Sequence, residues 1–440
     1  MKSFTIVVTA TAGWGHINAV AGSMRQLLQR GHRIIFMIEE GFRGKLSPLG
    51  FEEFIYKTAK ASESKGNAGD TFAADLMQSK VFGPETPWEK LVNVVNYIDG
   101  PGRIRDIREM DIGMKEAIET FKPDLICNDG NACLPSIHYS GIPWVRIISS
   151  APLFYMMDDS IPPGASGLPS DSDQNEWKVW NNIRHKLIYG KTLNDFIESW
   201  GYERFPNDLR SPNSEQITIY AYPELINYEP IRKLGWFNLE VFNKNVEKVP
   251  ELNSLVPDEF LNSNLNGKFS GKLIYVSMGS LSSIDLSLMK RLVDALSKTK
   301  HKYIFSKGPR FAEYELAENM YGKRFLPQTS IVPHVDLVIT HGGNNTVTEV
   351  FAEGKPMIVL PNFVDQFDNA QRLHETGFGI RLNPYEFSHK ELSDAIDKLL
   401  YNEMLHRQLQ EASNEIRAND RHLQLAKLIE QKIMSHNNIC

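Results

Sequence analysis

Cysteine is scarce in this chain, with three residues among 440. They are Cys127, Cys133 and Cys440, and their spacing is neither that of a disulfide framework nor that of a zinc site. The sequence therefore predicts a fold that depends on packing, in a reducing compartment such as the cytoplasm.

Long apolar runs are missing as well. No stretch reaches the roughly 18 to 20 continuous apolar residues of a membrane span, so no membrane partner is expected. The N-terminus, "MKSFTIVVTATAGWGH", enters a β-like run directly, without the apolar core and cleavage site of a secretory signal peptide. We therefore expect a soluble protein that is not exported by that route.

Clustered positive charge is the third absence. The net charge is -6, the pI is near 6.1, and the lysines and arginines are scattered along the chain. Proteins that bind nucleic acid or anionic membranes usually concentrate positive charge on one face. We expect neither partner here, and a phosphorylated ligand would need donors that are supplied locally.

The chain is nevertheless long enough for two packed domains. Its 440 residues exceed the roughly 100 to 200 of a typical domain, and 42% of them are hydrophobic, as in globular proteins. Strand-like runs alternate with helical patterns in both halves, which predicts an α/β protein of two facing Rossmann-like domains with a ligand cleft between them. The predicted boundaries are 1–235 for the first domain, 236–270 for a linker, 271–415 for the second domain, and 416–440 for a C-terminal helix that could pack back on the first.

The strands are predicted from short runs rich in β-branched and aromatic residues. In the first half these are "FTIVVTA", "RIIFMIEE", "PDLICND", "PSIHYSG" and "PWVRIISS", and in the second half "KLIYVSMGS", "HKYIFSKG", "DLVITHGG" and "PMIVLP". Between residues 151 and 235 the alternation stops, and the Pro-, Gly- and aromatic-rich sequence predicts loops and lid helices rather than sheet.

A histidine at the first strand-helix turn is the first candidate functional residue. In "TAGWGHINAV", Gly13 and Gly15 allow a tight turn and His16 falls at the start of a helix. The helix dipole should disfavour the imidazolium there, so His16 is expected to be neutral near pH 7 and able to act as a general base. The alternative is a histidine that only fills the turn.

An aspartate at the end of a neighbouring strand is the second candidate. Asp129 in "DLICNDGNA" should lie at the same sheet edge as His16, where its carboxylate could orient the imidazole and stabilise its charged form. It could instead be the N-cap of the next helix. Asp124, before the strand, should lie at the opposite end and is the weaker candidate.

The second half contains a possible phosphate site in "DLVITHGGNNTVTEVFAEGKPMIVLPNFVDQFDNAQ". His341 and Gly343 end a strand, and the following helix should present free backbone N–H groups to an anion. Asn345 and Thr346 can add side-chain donors. Glu349, about one turn further on, could accept hydrogen bonds from vicinal hydroxyl groups such as those of a ribose.

These residues carry a resemblance to a known family. "THGGNNTVTE" followed by "LPNFVDQFDNA" resembles the donor-binding signature of nucleotide-sugar-dependent glycosyltransferases of the GT-B fold, and the UDP-glycosyltransferases that conjugate small lipophilic acceptors are most similar in pattern. "GHIN", "YVSMGS" and "FLPQ" resemble further motifs of that family, so the resemblance covers most of the chain. The spacing after Phe325 resembles bacterial macrolide-type members more than plant members.

The resemblance implies a role for each candidate residue. His16 would be the catalytic base and Asp129 its partner, in an acceptor-binding N-terminal domain. The C-terminal domain would bind a UDP-sugar and no prosthetic group. The implied contacts are Ser280, His341, Gly343, Asn345 and Thr346 for the diphosphate, Glu349 for the ribose, Phe325 and Gln328 for the base, and Asp365 and Gln366 for the sugar.

Several positions depart from the pattern of the plant members. Phe325 stands where many of them have a tryptophan, which leaves the base open between uracil and thymine. Asn344 stands where they have another tryptophan, and Ala19 where they often have proline. The Asp-x-Asp in "SDSD" at 170–173 lies in a Pro/Gly/Ser-rich loop, without the strand that precedes metal-binding motifs of this kind, so no metal is expected.

The resulting prediction is an inverting, metal-independent hexosyltransferase that acts as a monomer. It would transfer a hexose from a UDP-sugar to a hydroxylated small lipophilic acceptor such as a natural product or xenobiotic. The resemblance implies that UDP-glucose is preferred, because in the family a glutamine after the aspartate, as at 365–366, accompanies glucose. The Met, Phe, Trp and Tyr residues at 72–97 and 153–200 would provide its acceptor walls, or alternatively serve only in the packing of lid segments. A non-hydrolysing sugar-nucleotide epimerase, a transferase to a lipid or cell-wall acceptor, and a non-catalytic binder remain as alternatives.

Overall fold

The fold consists of two parallel β-sheets, each covered by helices, as predicted. It was obtained as a computed structural model that describes residues 2–58, 78–130, 132–214, 216–244, 249–263 and 269–437. Cys440 and parts of the predicted linker and acceptor walls therefore lie outside the described residues. The GT-B-like arrangement of two Rossmann-like units is confirmed.

The N-terminal sheet has seven strands among the described residues, in the order β3-β2-β1-β4-β5-β6-β7, and every described pairing is parallel. Their bounds are Thr5–Ala10 (β1), Arg33–Glu39 (β2), Glu52–Tyr56 (β3), Leu125–Asp129 (β4), Trp144–Ile148 (β5), Ile217–Tyr220 (β6) and Phe237–Asn238 (β7). The central strands are almost continuously apolar because helices cover both faces of the sheet.

The C-terminal sheet has six strands in the described part of the chain, ordered β10-β9-β8-β11-β12-β13 and again parallel. Their bounds are Leu273–Ser277 (β8), Lys302–Ser306 (β9), Met320–Lys323 (β10), Leu337–Thr340 (β11), Met357–Val359 (β12) and Gly379–Arg381 (β13). In both sheets the chain reverses its direction of winding beside the central strands, and such switch points are where α/β folds place their ligands.

The helices of the N-terminal half connect and cover the first sheet. They span Trp14–Gln29 (α1), Pro87–Ile98 (α2), Pro101–Phe121 (α3), Pro135–His138 (α4), Gln174–Ile188 (α5), Lys191–Ser199 (α6) and Glu229–Arg232 (α7). Short 3₁₀ turns include Pro152–Tyr155, which follows β5.

The remaining helices belong to the linker, the C-terminal domain and the end of the chain. They span Asp258–Asn262 (α8), Gly279–Ser282 (α9), Leu286–Ser297 (α10), Gln328–Ile331 (α11), Asn344–Ala352 (α12), Asp365–Glu375 (α13), His389–Leu400 (α14), Glu403–Ala418 (α15) and Arg421–Asn437 (α16). None of the helices in the described ranges combines the length and apolar composition of a membrane span.

Two secondary-structure predictions were wrong. "PSIHYSG" forms the short helix α4, because Pro135 sits in its first turn and Asp111 accepts a hydrogen bond from the Ser136 N–H at 2.7 Å. The segment 151–235 contains strand β6, whose Ile219 pairs with Ile147 of β5 and is fully buried. Its few residues stand between long irregular stretches, which hid the strand pattern.

The last described helix packs on the first one. Leu425, Ile429 and Ile433 of α16 are fully buried in the same cluster as Val20 of α1. The carboxylate of Glu430 accepts hydrogen bonds from Arg30 Nε at 2.7 Å and from His32 Nε2 at 2.8 Å. The chain therefore passes between the domains twice, once through the linker and once between α15 and α16.

Candidate functional site

His16 and Asp129 meet at the carboxyl edge of the N-terminal sheet, with a serine between them. His16 Nδ1 lies 2.6 Å from the hydroxyl oxygen of Ser149, and that hydroxyl lies 2.9 Å from Asp129 Oδ2. The direct distance from His16 Nδ1 to Asp129 Oδ2 is 3.5 Å. Parallel strands β4 and β5 end side by side here, which brings Asp129 and Ser149 together.

The pKa of His16 is shifted by two carboxylates. Burial disfavours the imidazolium, but Asp129 and, more weakly, Asp365 outweigh this effect, and the pKa of His16 lies above its ordinary value. The carboxylates therefore act in the opposite direction to the helix dipole, which was expected to favour the neutral ring.

The N-terminus of α12 faces this edge across the cleft. The helix begins after Gly343, which provides no side-chain cap, and its first turn carries no acidic residue. The amide of Asn345 donates to the Gly15 carbonyl at 2.9 Å, one residue before His16. The amide of Asn344 donates to the Ala221 carbonyl at 3.0 Å, so both asparagines cross the domain boundary.

His341 lies beside this helix start, enclosed by two glycines. A Cβ atom on Gly279, where φ is +67°, would lie 2.7 Å from the imidazole, and one on Gly343 would lie 2.6 Å from it. Burial by the surrounding loops lowers the pKa of His341 to about 4. It is therefore neutral at pH 7 and can offer an anion a hydrogen bond but no charge.

Glu349, on the second turn of α12, is held by amides from two other segments. Its Oε2 accepts from Gln328 Nε2 at 2.7 Å and its Oε1 from Asn243 Nδ2 at 3.2 Å. Gln328 also donates to the Thr346 hydroxyl at 3.2 Å. Burial raises the pKa of Glu349 to about 7. The structure thus brings Gln328, Thr346 and Glu349 into one polar cluster with Asn243.

Asp365 and Gln366, at the start of α13, are already engaged within the protein. Asp365 Oδ2 accepts from the Ala151 N–H at 2.8 Å, and burial raises the pKa of Asp365 to about 6. The Gln366 side-chain carbonyl accepts from the Asn362 N–H at 2.9 Å. Each side chain can still bond to a ligand. The Asp365 carboxylate has further lone pairs, and the N–H donors of the Gln366 amide are not used in this bond.

A carboxylate one turn further along α13 holds the loop that follows β5. Asp368 Oδ2 accepts from the Ala165 N–H at 2.6 Å and Oδ1 from the Gly167 N–H at 3.1 Å. Burial raises the pKa of Asp368 to about 7. Glu375, at the end of α13, accepts from the Ser170 N–H at 3.1 Å.

Phe325 and Ser280 are the exposed members of the predicted set. The Phe325 ring is 51% exposed, with the Arg324 guanidinium 5.4 Å from its centroid. Ser280 is exposed on the short helix α9. Both lie near the surface of the C-terminal domain, where a ligand could reach them without displacing the protein's own contacts.

The predicted acceptor walls at 72–97 and 153–200 pack largely against each other, and residues 72–77 lie outside the described residues. Phe82 stacks on Phe363 of the other domain with centroids 5.1 Å apart, and Trp88 meets Trp180 edge to face at 5.1 Å. In "SDSD", Asp173 caps α5 through the Asn175 N–H. The described residues contain no group of three or more His, Cys, Asp or Glu side chains placed to hold a metal ion.

Comparison with known proteins identifies the class of this chain. Residues 251–417 match the family described as "UDP-glucoronosyl and UDP-glucosyl transferase". Among curated proteins, the NDP-glycosyltransferase YjiC of Bacillus subtilis (strain 168) is 23% identical over 90% of this chain and 89% of its own length. The demethyllactenocin mycarosyltransferase of Streptomyces fradiae is 20% identical over 92% of this chain and 81% of its own length.

The structural comparison extends the match to the whole fold. The crystal structure of the kitacinnamycin glycotransferase superposes with a TM-score of 0.67 at 17% identity, and the match covers 98% of this chain and 100% of that one. The chain has the GT-B fold, and residues 251–417 match this glycosyltransferase family. Its C-terminal domain belongs to the matched family, and the resemblance drawn from the signature motifs is confirmed at this level.

Several residues of the candidate site were missed by reasoning from sequence. Ser149 follows an apolar strand, as Asp129 does, and the shared strand-end position was the signal that could have identified it. Asn344 was noted only as a departure from the family pattern. Asp368 lies one helical turn after Asp365 on the same face, a spacing that could have been noticed. Asn243 gave no signal, since it stands in a polar linker.

Proposed function

We propose that this glycosyltransferase transfers glucose from UDP-glucose to a hydroxyl group of a small lipophilic acceptor, with inversion and without a metal ion. The observation that carries the proposal is the pairing of a histidine with an uncapped helix start across the cleft. His16 is bonded only through Nδ1 among the described residues. In the first turn of α12, the side-chain amide of Asn345 donates to the carbonyl of Gly15, which is the residue before His16.

The reaction follows from the positions of these groups. The acceptor oxygen bonds to the anomeric carbon while the bond from that carbon to the diphosphate oxygen breaks, and the hydroxyl proton moves to Nε2 of His16. UDP leaves with the electron pair, and an α-linked donor gives a β-glycoside. General-base assistance of this kind contributes about 10² to 10⁴ in rate.

The diphosphate is assigned to the N-terminus of α12. Free N–H groups and the positive end of the helix dipole stabilise the negative charge that develops on the leaving group. Asn345 and Thr346 add side-chain donors, Ser280 approaches from the opposite loop, and neutral His341 contributes one hydrogen bond. These donors require no metal ion, so activity should persist in excess EDTA.

The nucleoside is assigned to Phe325, Gln328 and Glu349. The exposed Phe325 ring offers a face for stacking of the base, and Glu349 offers carboxylate oxygens to ribose hydroxyls. The name NDP-glycosyltransferase does not specify the nucleotide base used by the B. subtilis relative. In this chain, the small Phe325 ring does not distinguish uracil from thymine. We propose uracil because the matched family is named for UDP-sugars.

The sugar is assigned to Asp365 and Gln366. A carboxylate and an amide suit a neutral hexose with several hydroxyls, whereas a uronate would place a second anion beside Asp365. Asp365 lies close enough to His16 to raise the pKa of that histidine, which supports a sugar subsite next to the base. UDP-glucose should therefore be preferred over UDP-galactose and UDP-glucuronate by about tenfold in kcat/KM, or roughly 1.4 kcal/mol.

The acceptor class is the least specified part of the proposal. Demethyllactenocin mycarosyltransferase acts, by its name, on demethyllactenocin. We propose a hydroxylated natural product or xenobiotic of comparable size. Screening a panel of flavonols and macrolides by product mass, with the three donors in competition, tests acceptor and donor together.

Substitution of the base is the direct test of the mechanism. His16→Ala should lower kcat at least a hundredfold and leave the UDP dissociation constant nearly unchanged, because the base acts only in the chemical step. His389→Ala, at a half-exposed position on α14, is the matched control and should leave both values unchanged. A His16→Ala enzyme with more than half of the parent activity would disprove the assignment. UDP-sugar conversion that needs no acceptor would instead indicate the epimerase alternative.

A further inference from the structure

We propose that Ser149 is a positioning residue of the catalytic base, and that its hydroxyl is the link through which Asp129 acts on His16. The inference deepens the proposed function and rests on the role given there to His16. It assigns a function to a serine at the end of β5 that belongs to none of the predicted motifs.

The distances favour the serine over a direct contact. His16 Nδ1 is 2.6 Å from the Ser149 hydroxyl but 3.5 Å from Asp129 Oδ2. Hydrogen bonds from nitrogen to oxygen usually span about 2.7 to 3.2 Å, so the direct distance is too long for a good one. The Ser149 hydroxyl is 2.9 Å from that same oxygen of Asp129.

Both oxygens of the Asp129 carboxylate are oriented by the same serine. The Ser149 N–H donates to Oδ1 at 3.0 Å, and the hydroxyl donates to Oδ2. Ser149 and Asp129 are 2% and 4% exposed, so water does not compete for these bonds. The Ser149 carbonyl in turn lies 3.4 Å from the Asn344 amide of the other domain.

The direction of these hydrogen bonds fixes the imidazole tautomer. An ionised carboxylate can only accept, so the single hydroxyl proton of Ser149 points to Asp129. The hydroxyl oxygen must then accept the proton on His16 Nδ1. This leaves the lone pair on Nε2, the nitrogen that needs it for proton removal.

The same arrangement stabilises the imidazolium that forms during transfer. When Nε2 takes the acceptor proton, the N–H at Nδ1 becomes a stronger donor, and the Ser149 oxygen, polarised by Asp129, receives it. The serine keeps its own proton throughout. No proton is gained or lost by Ser149 or Asp129, so the step balances with the acceptor hydroxyl and His16 alone.

Ser149→Ala tests the proposal, with Ser150→Ala as the matched control at the next position. We expect Ser149→Ala to lower kcat about 10- to 100-fold, with KM for the donor and the UDP dissociation constant within twofold of the parent. Ser150→Ala should be within threefold of the parent in kcat. Ser149→Cys, which keeps the size but donates poorly, should resemble Ser149→Ala and serves as a second variant if the alanine variant folds badly.

A pH profile separates positioning from a general structural effect. The charged groups that act on His16 are Asp129, Asp365 and Arg103, and all three remain in the variant. Loss of the acceptor at Nδ1 should move the acidic limb of kcat/KM to lower pH. An unchanged limb together with unchanged kcat would overturn the proposal.

A double-mutant cycle with Asp129→Asn gives the decisive result. If the serine carries the interaction, Asp129→Asn should cost much less in the Ser149→Ala background than in the parent. Equal costs in both backgrounds would show that Asp129 acts directly and would overturn the inference. Failure of the proposed function is recognised separately, because His16→Ala would then retain activity whatever the cycle shows.

Discussion

The two edges of the interdomain contact are built from opposite kinds of polar side chain. At the edge formed by α12, which we call the amide edge, the side chains of Asn344 and Asn345 donate to backbone carbonyls across the boundary between the domains. At the edge formed by α13, which we call the carboxylate edge, Asp365, Asp368 and Glu375 accept from backbone N–H groups of the loop 151–170.

The difference bears on which edge can yield to a ligand. A bond between neutral groups contributes only about 0.5 to 1.5 kcal/mol net, so a diphosphate can replace the bonds of the amide edge at little cost. A buried carboxylate with two N–H donors loses more when separated from them. The amide edge is therefore suited to exchange its contacts with a ligand, and the carboxylate edge to keep the loop 151–170 in place.

The largest effect is expected from Asp368→Ala. This change leaves the N–H groups of Ala165 and Gly167 buried without their acceptor, and should lower the free energy of unfolding by about 3 kcal/mol. Urea denaturation measures it. The control, Asp394→Ala, removes an exposed partner of Lys390 and should cost less than about 0.5 kcal/mol. Equal losses in the two variants would contradict the assigned role of the carboxylate edge.

The carboxylate edge should also make stability depend on pH. The pKa of Asp368 is raised from 3.8 to about 7 in the folded protein, so between these values the native state binds the extra proton. The unfolding free energy must then fall as pH rises through this window. Between pH 5 and pH 8, the free energy of unfolding of the parent should fall by on the order of 2 kcal/mol relative to that of the Asp368→Asn variant. A constant difference across the range would show that Asp368 titrates normally.

Glu349→Ala tests the amide edge through its effect on UDP affinity, whereas the two preceding predictions concern stability. Without the carboxylate, ribose hydroxyls lose their acceptor, and UDP affinity should fall about tenfold, equivalent to about 1.4 kcal/mol. Calorimetry with UDP provides the measurement. Asp294→Ala, on the exposed face of α10, should leave UDP affinity unchanged. If Glu349→Ala binds UDP as tightly as the parent, the ribose assignment is wrong.

The smallest effect is expected from Asn345→Ala. It removes one neutral bond to the Gly15 carbonyl and one potential phosphate donor, so stability should change by less than about 1 kcal/mol. The donor KM should rise severalfold. A loss of stability as large as that of Asp368→Ala would erase the distinction between the two edges.

Local sequence patterns were enough to predict those features that depend only on residues nearby in the sequence. His16 and Asp129 were found because each follows an apolar strand, and parallel strands end at one edge. Glu349 was singled out because about one helical turn separates it from the start of α12, where the sequence predicts a phosphate site. Strand β6 was missed because its four residues lack a long periodic context.

The interdomain bonds lay beyond such reasoning. Asp365 accepts a hydrogen bond from Ala151, which is 214 positions away in the sequence, and Asn345 donates one to Gly15, which is 330 positions away. Their pairing depends on how two separately folded sheets face each other, which no local propensity records. The contribution of Asp365 to the raised pKa of His16 was missed for the same reason, since Asp365 belongs to the other domain.

The packing of α16 on α1 also determines when the N-terminal domain can complete its hydrophobic core during synthesis. Domains usually fold one after another as the chain leaves the ribosome. Here Leu425, Ile429 and Ile433 complete the core that begins with β1 and α1. The first domain to be translated is therefore the last to close its core, and until then the exposed face of α1 is a surface on which chaperones can act.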